Sequence, residues 1–445
     1  MDQENQSGYF KTVLLLSSAV WLVVMNTTMF NVALPNILTE FSLQPSEGAW
    51  IVSGYSIVLA IFTITYTRLS DYLPIRKLLI TGITIFGSAS LAGFFADSFL
   101  WLMGARLAQA AGAAAIPGLS MVFAGRFIPF NRRGRAMALI ASASSLGFGL
   151  GPVVGGAITD YLNWNYLFMV TVLVMLVIPI LFRLMPSEPS QQGRFDLLGA
   201  LLTGGGVTLF LLYISTFHWY FLTAGIVLIF MLWLRINRTD APFIQPELLR
   251  RTPYRWLLYM TYFVFATHFA MLFLIPIMLQ QVYEHEPAAI GLIIFPGAML
   301  SAVAAIFVGR LMDRFGNITV MALAQGVLIL STLLLFSLGA VNVYMIMLAY
   351  MFTSFGFSSL SSSSTNEVSR ILPDPEIGAG IGMKQQTHFI GSASGSVLAG
   401  ILLETSTKPY HADAFLLPFA TLIMLMLLSL VSYLMYVKKS AGVQS

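Results

Sequence analysis

Five side chains stand where their chemistry is hard to dismiss: Arg106, His268, Lys384, His388 and Glu404 each fall inside, or at the end of, a long apolar run. A charge moved from water into hydrocarbon is costly unless it is paired or faces an aqueous cavity, so such residues are functional by default. Arg106 lies well inside its run, either as part of a charge-handling path or as a post that hydrogen-bonds backbone carbonyls; Gln109 shares its helix face one turn on. Lys384, His388 and Ser392 recur every four residues and form one polar stripe on a helix. His268 follows Arg255 by thirteen residues, or about 20 Å of helix, which sets it near mid-membrane. Histidine titrates near neutral pH and could gain and lose a proton between two states, although a purely hydrogen-bonding role is the alternative. Lys384 either joins the stripe or reaches with its ammonium to the membrane edge.

The elements that must position these groups follow from composition. The chain has 445 residues, of which 57% are hydrophobic and 9% charged, with a mean hydropathy of +0.82. About 20 apolar residues cross a bilayer as one helix, so nearly the whole chain is consumed by membrane spans and no sizeable soluble domain is left. Apolar runs broken by polar or Pro/Gly clusters predict an all-α integral membrane protein of fourteen transmembrane helices. They lie near 12–34, 48–67, 77–96, 99–124, 136–158 and 165–184, then 196–215 and 219–236, then 256–281, 288–309, 318–338, 343–364, 378–402 and 413–437. Every Lys and Arg except Arg106, Lys384 and Lys408 then falls on the side of the termini, and the positive-inside rule puts both termini in the cytoplasm. The polar start Met1 to Phe10 shows no obvious cleavage site and reads as the lead-in to an uncleaved first span. With no cysteine there is neither a disulfide framework nor a thiolate metal site.

Two internal patterns organise the spans. Gly147, Gly149, Gly151, Pro152, Gly155 and Gly156 read GxxxGPxxGG; glycines four apart leave a helix face that another backbone can approach, and Pro152 bends the helix. The loop Thr67–Lys77, with Arg68, Asp71 and Arg76, is matched by Gly309, Arg310, Asp313, Arg314 and Gly316. The second copy is displaced by two spans from the place a simple six-plus-six repeat requires. The expected order is therefore 1–184 as a first six-helix bundle, 185–255 as two inserted helices and an interfacial linker, and 256–445 as a second six-helix bundle. The run Gly204–Gly206 permits the insert to pack closely against the bundle or a second copy. An aspartate in each repeated loop can cap a helix or pair with a basic neighbour and so latch one state of a two-state bundle.

These motifs, in this order on these spans, resemble the major facilitator superfamily, and within it the fourteen-span drug:proton antiporter family with its Gram-positive tetracycline and multidrug exporter branch. The residues that carry the likeness are Asn26 to Pro35 in the first span, the two Asp71 and Asp313 loops, Arg106-Leu107-Ala108-Gln109 with Gly112, and the stretch from Gly147 to Gly156. The resemblance implies a role in proton transfer for Arg106; His268, His388 and Glu404, as titratable groups left within the spans, are the further candidates for proton coupling. The resemblance makes Arg68, Asp71, Arg76, Gly309, Arg310, Asp313 and Arg314 a cytoplasmic gate, and Gly147, Gly151, Pro152 and Gly155 the antiporter motif of an exporter. The sequence departs from that branch at Asn26, Phe148 and Ser392, where relatives carry acids, and at Thr67 and Pro74, where glycines are usual.

The expected function is proton-coupled efflux of amphipathic drugs by alternating access from a bacterial plasma membrane; a transporter for a dedicated metabolite, lipid or tetracycline-like substrate is the alternative. Asn26, Asn31, Gln109, Tyr262, Phe269, Lys384 and Gln385 are the candidate substrate cavity, and basic rather than acidic groups there predict neutral, zwitterionic or anionic substrates. Expected partners are a drug-like small molecule, protons and the lipid bilayer, with no nucleic acid. No GxxxxGK[ST] phosphate loop or HExxH motif occurs, so neither ATP nor another cofactor is expected, the proton gradient being the energy source, and no enzymatic activity is expected.

Overall fold

A bilayer offers backbone amides no water, so a spanning chain satisfies them within helices. The computed structural model describes residues 3–70, 73–128, 130–186, 196–239, 242–243, 246–339, 341–405 and 411–441, and over these it contains helices and no strand. They are α1 (Gln3–Glu40), α2 (Pro45–Leu69), α3 (Ile75–Phe94), α4 (Phe99–Ala113), α5 (Ala115–Phe127), α6 (Phe130–Tyr161), α7 (Tyr166–Val172), α8 (Val177–Leu184), α9 (Leu197–Thr216), α10 (Trp219–Ile236), α11 (Pro246–Arg250), α12 (Thr252–Gln281), α13 (Pro287–Phe315), α14 (Asn317–Leu338), α15 (Val343–Ile371), α16 (Asp374–Glu404) and α17 (Leu416–Ala441). Pro117 lacks an amide proton and crowds the carbonyl four residues back, and the helix breaks there into α4 and α5. A single 3-10 turn, Leu173–Leu176, separates α7 from α8.

Among the described residues 11 candidate spans are long and apolar enough to cross a membrane, fewer than the fourteen expected from the apolar runs. The helices outside this count are α6, α13 and α16, in each of which some side chains lie outside the described residues; α13 keeps an apolar stretch at Pro287–Ser301. They are also the helices that meet across the middle of the protein: α6 packs on α13, and α16 packs on α2.

The glycine stretch of α6 serves two partners at once. Gly147, Gly151 and Gly155 lie against α1 in register at Trp21, Met25 and Met29: a Cβ on Gly147 would sit 2.7 Å from the Trp21 carbonyl, on Gly151 2.9 Å from that of Met25, and on Gly155 2.7 Å from that of Met29. Two residues on is about 200° around the helix, and that opposite face meets α13. There Gly149 lies against Met299, Gly156 against the Pro287 carbonyl, and Gly291 of α13 returns the contact at the Pro152 carbonyl. The second half repeats the device in α16, where Gly391 and Gly395 meet the Tyr262 and Ala266 carbonyls of α12, and Gly400 approaches the Pro45 carbonyl at the start of α2.

The cores show how the halves are joined. On the side of the Glu40–Pro45 turn one hydrophobic core runs through both halves, combining Leu34 and Ile37 of α1 and Trp164 with Leu272, Ile275 and Leu279 of α12. On the side of the basic loops each half keeps its own core, Leu16, Leu79, Phe123 and Leu181 in one and Leu257, Met321, Leu360 and Tyr436 in the other. The α9–α10 hairpin lies beside one seam: α9 packs on both α2 and α16, with Gly204 against Ile61 of α2 and Gly205 and Gly206 against Leu228 and Ile229 of α10. Asp196 anchors its base by capping α9 through the Gly199 amide at 2.9 Å, accepting from the Phe243 amide at 3.1 Å and pairing with Arg235 of α10 at 3.1 Å.

Replacing Gly155 by Leu forces a side chain into the Met29 backbone and should lower the stability of the detergent-solubilised protein by about 3 kcal/mol. The measurement is the temperature at which the monodisperse peak is lost in size-exclusion chromatography. Gly104→Leu is the control, since a Cβ there meets nothing within 4 Å, and it should leave that temperature unchanged.

Candidate functional site

In the first half, five helices converge on one buried guanidinium. Arg106 of α4 is 1% exposed, and its Cζ lies 4.1 Å from the ring centroids of both Phe30 on α1 and Tyr55 on α2. Nη1 donates to Gln109 Oε1 at 2.6 Å. Asn26 Nδ2 donates to the same oxygen at 3.2 Å and to the Tyr55 hydroxyl at 3.4 Å. Gln109 Nε2 in turn donates to Ser90 on α3 at 2.8 Å and to Thr171 on α7 at 3.3 Å. Arg106 is thus held by two aromatic faces and a glutamine oxygen, and among the described residues it is paired with no carboxylate. Desolvated cation–π contacts are worth about 2 kcal/mol each, which offsets part of the burial cost. The Nε of Arg106, Oδ1 of Asn26 and both amide atoms of Asn31 are buried without a protein partner.

The second half gathers three helices around an aromatic pair. Phe265 of α12 and Phe357 of α15 meet edge to face at 4.7 Å. His388 of α16 stacks on Phe265 at 3.7 Å, and His268 of α12 stacks on Phe357 at 3.8 Å. Phe269 lies parallel to Phe265 at 6.4 Å. One turn before His388, Lys384 is 1% exposed and donates to Thr365 Oγ1 at 2.6 Å and to the Ser361 carbonyl at 3.3 Å. The expected stripe is therefore present, but Lys384 reaches sideways to α15 and not to the membrane edge. Its third member, Ser392, crosses to the other half and shares a 3.2 Å hydrogen bond with Ser56 of α2.

The other sequence candidates are more scattered. Glu404 is exposed at the far end of α16 and stands apart from both clusters; Tyr262 and Gln385 are partly buried. Asp71 lies outside the described residues, as do the side chains of Arg68, Gly309 and Asp313. Arg76 lies at the end of α8, with Nη1 3.3 Å from the Phe182 carbonyl and Cζ 4.5 Å over the Phe182 ring. Arg310 and Arg314 are exposed beside Phe307 and Phe315.

Several functional-looking residues were not singled out by sequence. Tyr55, Ser90 and Thr171 complete the Arg106 cluster from three other helices, and no spacing rule links them to it. Phe357 was equally silent. Glu367 stands near the end of α15 yet is 3% exposed; it accepts from Asn317 at 2.7 Å and from Tyr436, and pairs with Arg370 at 3.0 Å. Its three-residue spacing to Arg370 was the available signal.

Gln109→Leu removes the acceptor from the buried guanidinium and should destabilise the protein by about 2 kcal/mol, the scale of a hydrogen bond to a charged group. Gln109→Glu, which keeps the acceptor, should recover most of that loss in the same thermal assay.

Comparison with known proteins gives this geometry a family. The family model of the Major Facilitator Superfamily matches residues 16–341 and 287–444. The multidrug efflux pump LfrA of Mycolicibacterium smegmatis is 27% identical over 404 residues, covering 87% of this chain and 79% of the relative. The multidrug resistance protein Stp of Mycobacterium tuberculosis is 26% identical over 406 residues, covering 88% and 75%. Among solved structures, the fold is similar to a bacterial homolog of the human lysosomal transporter Spinster in an inward-facing, unoccupied conformation, with a TM-score of 0.69 at 13% identity over 97% of both chains. It is similar also to the POT family transporter PepTSo, with a TM-score of 0.71 at 14% identity over 99% of this chain and 98% of that one. The apolar helices and bacterial relatives mark a multi-pass protein of the bacterial plasma membrane, and the chain belongs to the Major Facilitator Superfamily.

Proposed function

We propose that the protein is a proton-coupled multidrug exporter of fourteen spans, arranged six, two and six with both termini in the cytoplasm, which moves amphipathic drugs outward by alternating access. The observation that carries this reading is the division of the core: the halves share one core on one side and keep separate cores on the basic-loop side. Two rigid bodies joined along seams that admit close backbone approach can rock, and a rocking pair exposes the middle of the membrane to each side in turn. If the basic-loop side is cytoplasmic, the halves are joined at the outer face and part toward the cytoplasm.

Export as the direction is supported by the relatives, whose names describe multidrug efflux and multidrug resistance. The α6 glycine motif adds support through the antiporter resemblance. Proton coupling is assigned to Arg106 together with the histidines at 268 and 388, because these are ionisable groups buried inside the bundle. Glu404, exposed at the helix end, is the weakest member of the expected set.

In cells lacking their own pumps, the protein should lower the accumulation of several unrelated drugs. A protonophore should abolish that effect, and ATP depletion at a constant proton gradient should not. Arg106→Ala should stop efflux while the protein still reaches the membrane in normal amount. Efflux that persists without a proton gradient would overturn the coupling, and normal efflux by the Arg106→Ala protein would remove that residue from it.

A further inference from the structure

The two buried cations of the bundle are solved differently, and the difference points to a ligand. Arg106 is enclosed by Phe30, Tyr55 and Gln109. Among the described residues Lys384 has only neutral acceptors, Thr365 Oγ1 and the Ser361 carbonyl. An ammonium carries three donors, so one N–H of Lys384 has no partner among the described residues. Beside it, linked through the Phe265–Phe357 pair, His388 Nε2 and His268 Nδ1 are buried with no hydrogen-bond partner among the described residues. Both imidazoles lie flat on the Phe265–Phe357 pair. Buried polar atoms are almost always satisfied in finished structures, and a cluster of exceptions asks for a missing partner. A partner that brings acceptors and negative charge, together with an apolar body, would fit the ammonium, the imidazoles and the aromatic pair at once.

We infer that the Lys384 cluster between α12, α15 and α16 is the substrate-selecting site and that it takes amphipathic organic anions, namely carboxylates carried on an aromatic body. The carboxylate accepts from Lys384 Nζ and from a neighbouring imidazole N–H, and the aromatic part extends the Phe265–Phe357 surface. A permanent cation of the same size meets Lys384 as a like charge and finds no buried carboxylate here among the described residues. Because Lys384, His388 and His268 are all enclosed, the ligand reaches them only when the halves part. That access is where this inference rests on the transporter reading.

The test uses the full-length wild-type protein and two variants, Lys384→Met and Lys384→Arg. Equilibrium binding of 1-naphthoate in detergent is measured first. Uptake into proteoliposomes under an imposed pH gradient is then measured for 1-naphthoate, its neutral amide and the permanent cation ethidium. Lys384→Met should weaken naphthoate binding by roughly tenfold or more, the effect of one hydrogen bond to a charged group, while an unchanged temperature of loss of the monodisperse peak in size-exclusion chromatography shows that the variant is folded. Lys384→Arg should bind naphthoate within a few-fold of wild type. Absence of naphthoate binding to the wild type, equal binding by Lys384→Met, or transport of ethidium in preference to naphthoate each overturns the inference. Naphthoate binding that depends on Lys384, with none of the three probes crossing the membrane, would uphold the anion site and sink the transporter reading instead.

Discussion

Backbone contact at α6 is the constraint on which the rest of the molecule depends. One glycine face, at 147, 151 and 155, presses on α1, and the face about 200° away, at 149 and 156, presses on α13. The first contact lies within a half and the second between halves, so a single helix is both a structural member and a hinge surface. Contacts without side chains lock few rotamers, and glycine seams let helices slide or tilt at low cost compared with interdigitated leucines. The second half solves the same problem with Gly391, Gly395 and Gly400 of α16, which touch α12 and α2. The two seams are therefore built alike, and helix α9 covers only the one between α2 and α16.

Charge burial divides along the same line. In the first half the guanidinium is sandwiched and hydrogen-bonded until its planar faces and one edge are occupied, and the cluster ties α1, α2, α3, α4 and α7 together. That arrangement stiffens a rigid body. In the second half the ammonium, two imidazoles and several hydroxyls sit against aromatic rings with polar capacity unspent, and Ser392 of the same stripe bonds across the seam to Ser56. A group with unspent hydrogen-bonding capacity beside a seam between the halves is suited to exchange partners there, whereas a guanidinium stacked between two rings is suited to hold its helices in place.

Much of the fold was legible in the sequence because a bilayer permits few solutions. Long apolar runs had to be helices, and the helix bounds of the described residues follow the predicted spans within several residues, apart from the extended ends of α1, α6, α13 and α15. Gly147 to Gly156 was recognisable as an approach surface. Gly391, Gly395 and Gly400 spell the same device less densely, among serines, and were passed over.

The site was legible only in part. Arg106, Gln109, Asn26, Lys384, His268 and His388 could be picked out because polar groups in apolar runs are conspicuous against their background, and the four-residue stripe of α16 followed from helix geometry. Their partners could not be. Phe30, Tyr55 and Phe357 are ordinary members of apolar helices until tertiary packing lays their rings on a cation or an imidazole. Glu404, conspicuous by type, proved to lie in the open, while Glu367, near a helix end, proved to be buried. Sequence alone determined that the chain is a helical membrane protein with internal repetition and buried basic groups, because hydrophobicity and spacing are properties of single helices. Which groups face each other, and which rings and acceptors meet each buried cation, depended on distances between helices far apart in the chain, and those only the packed bundle decides.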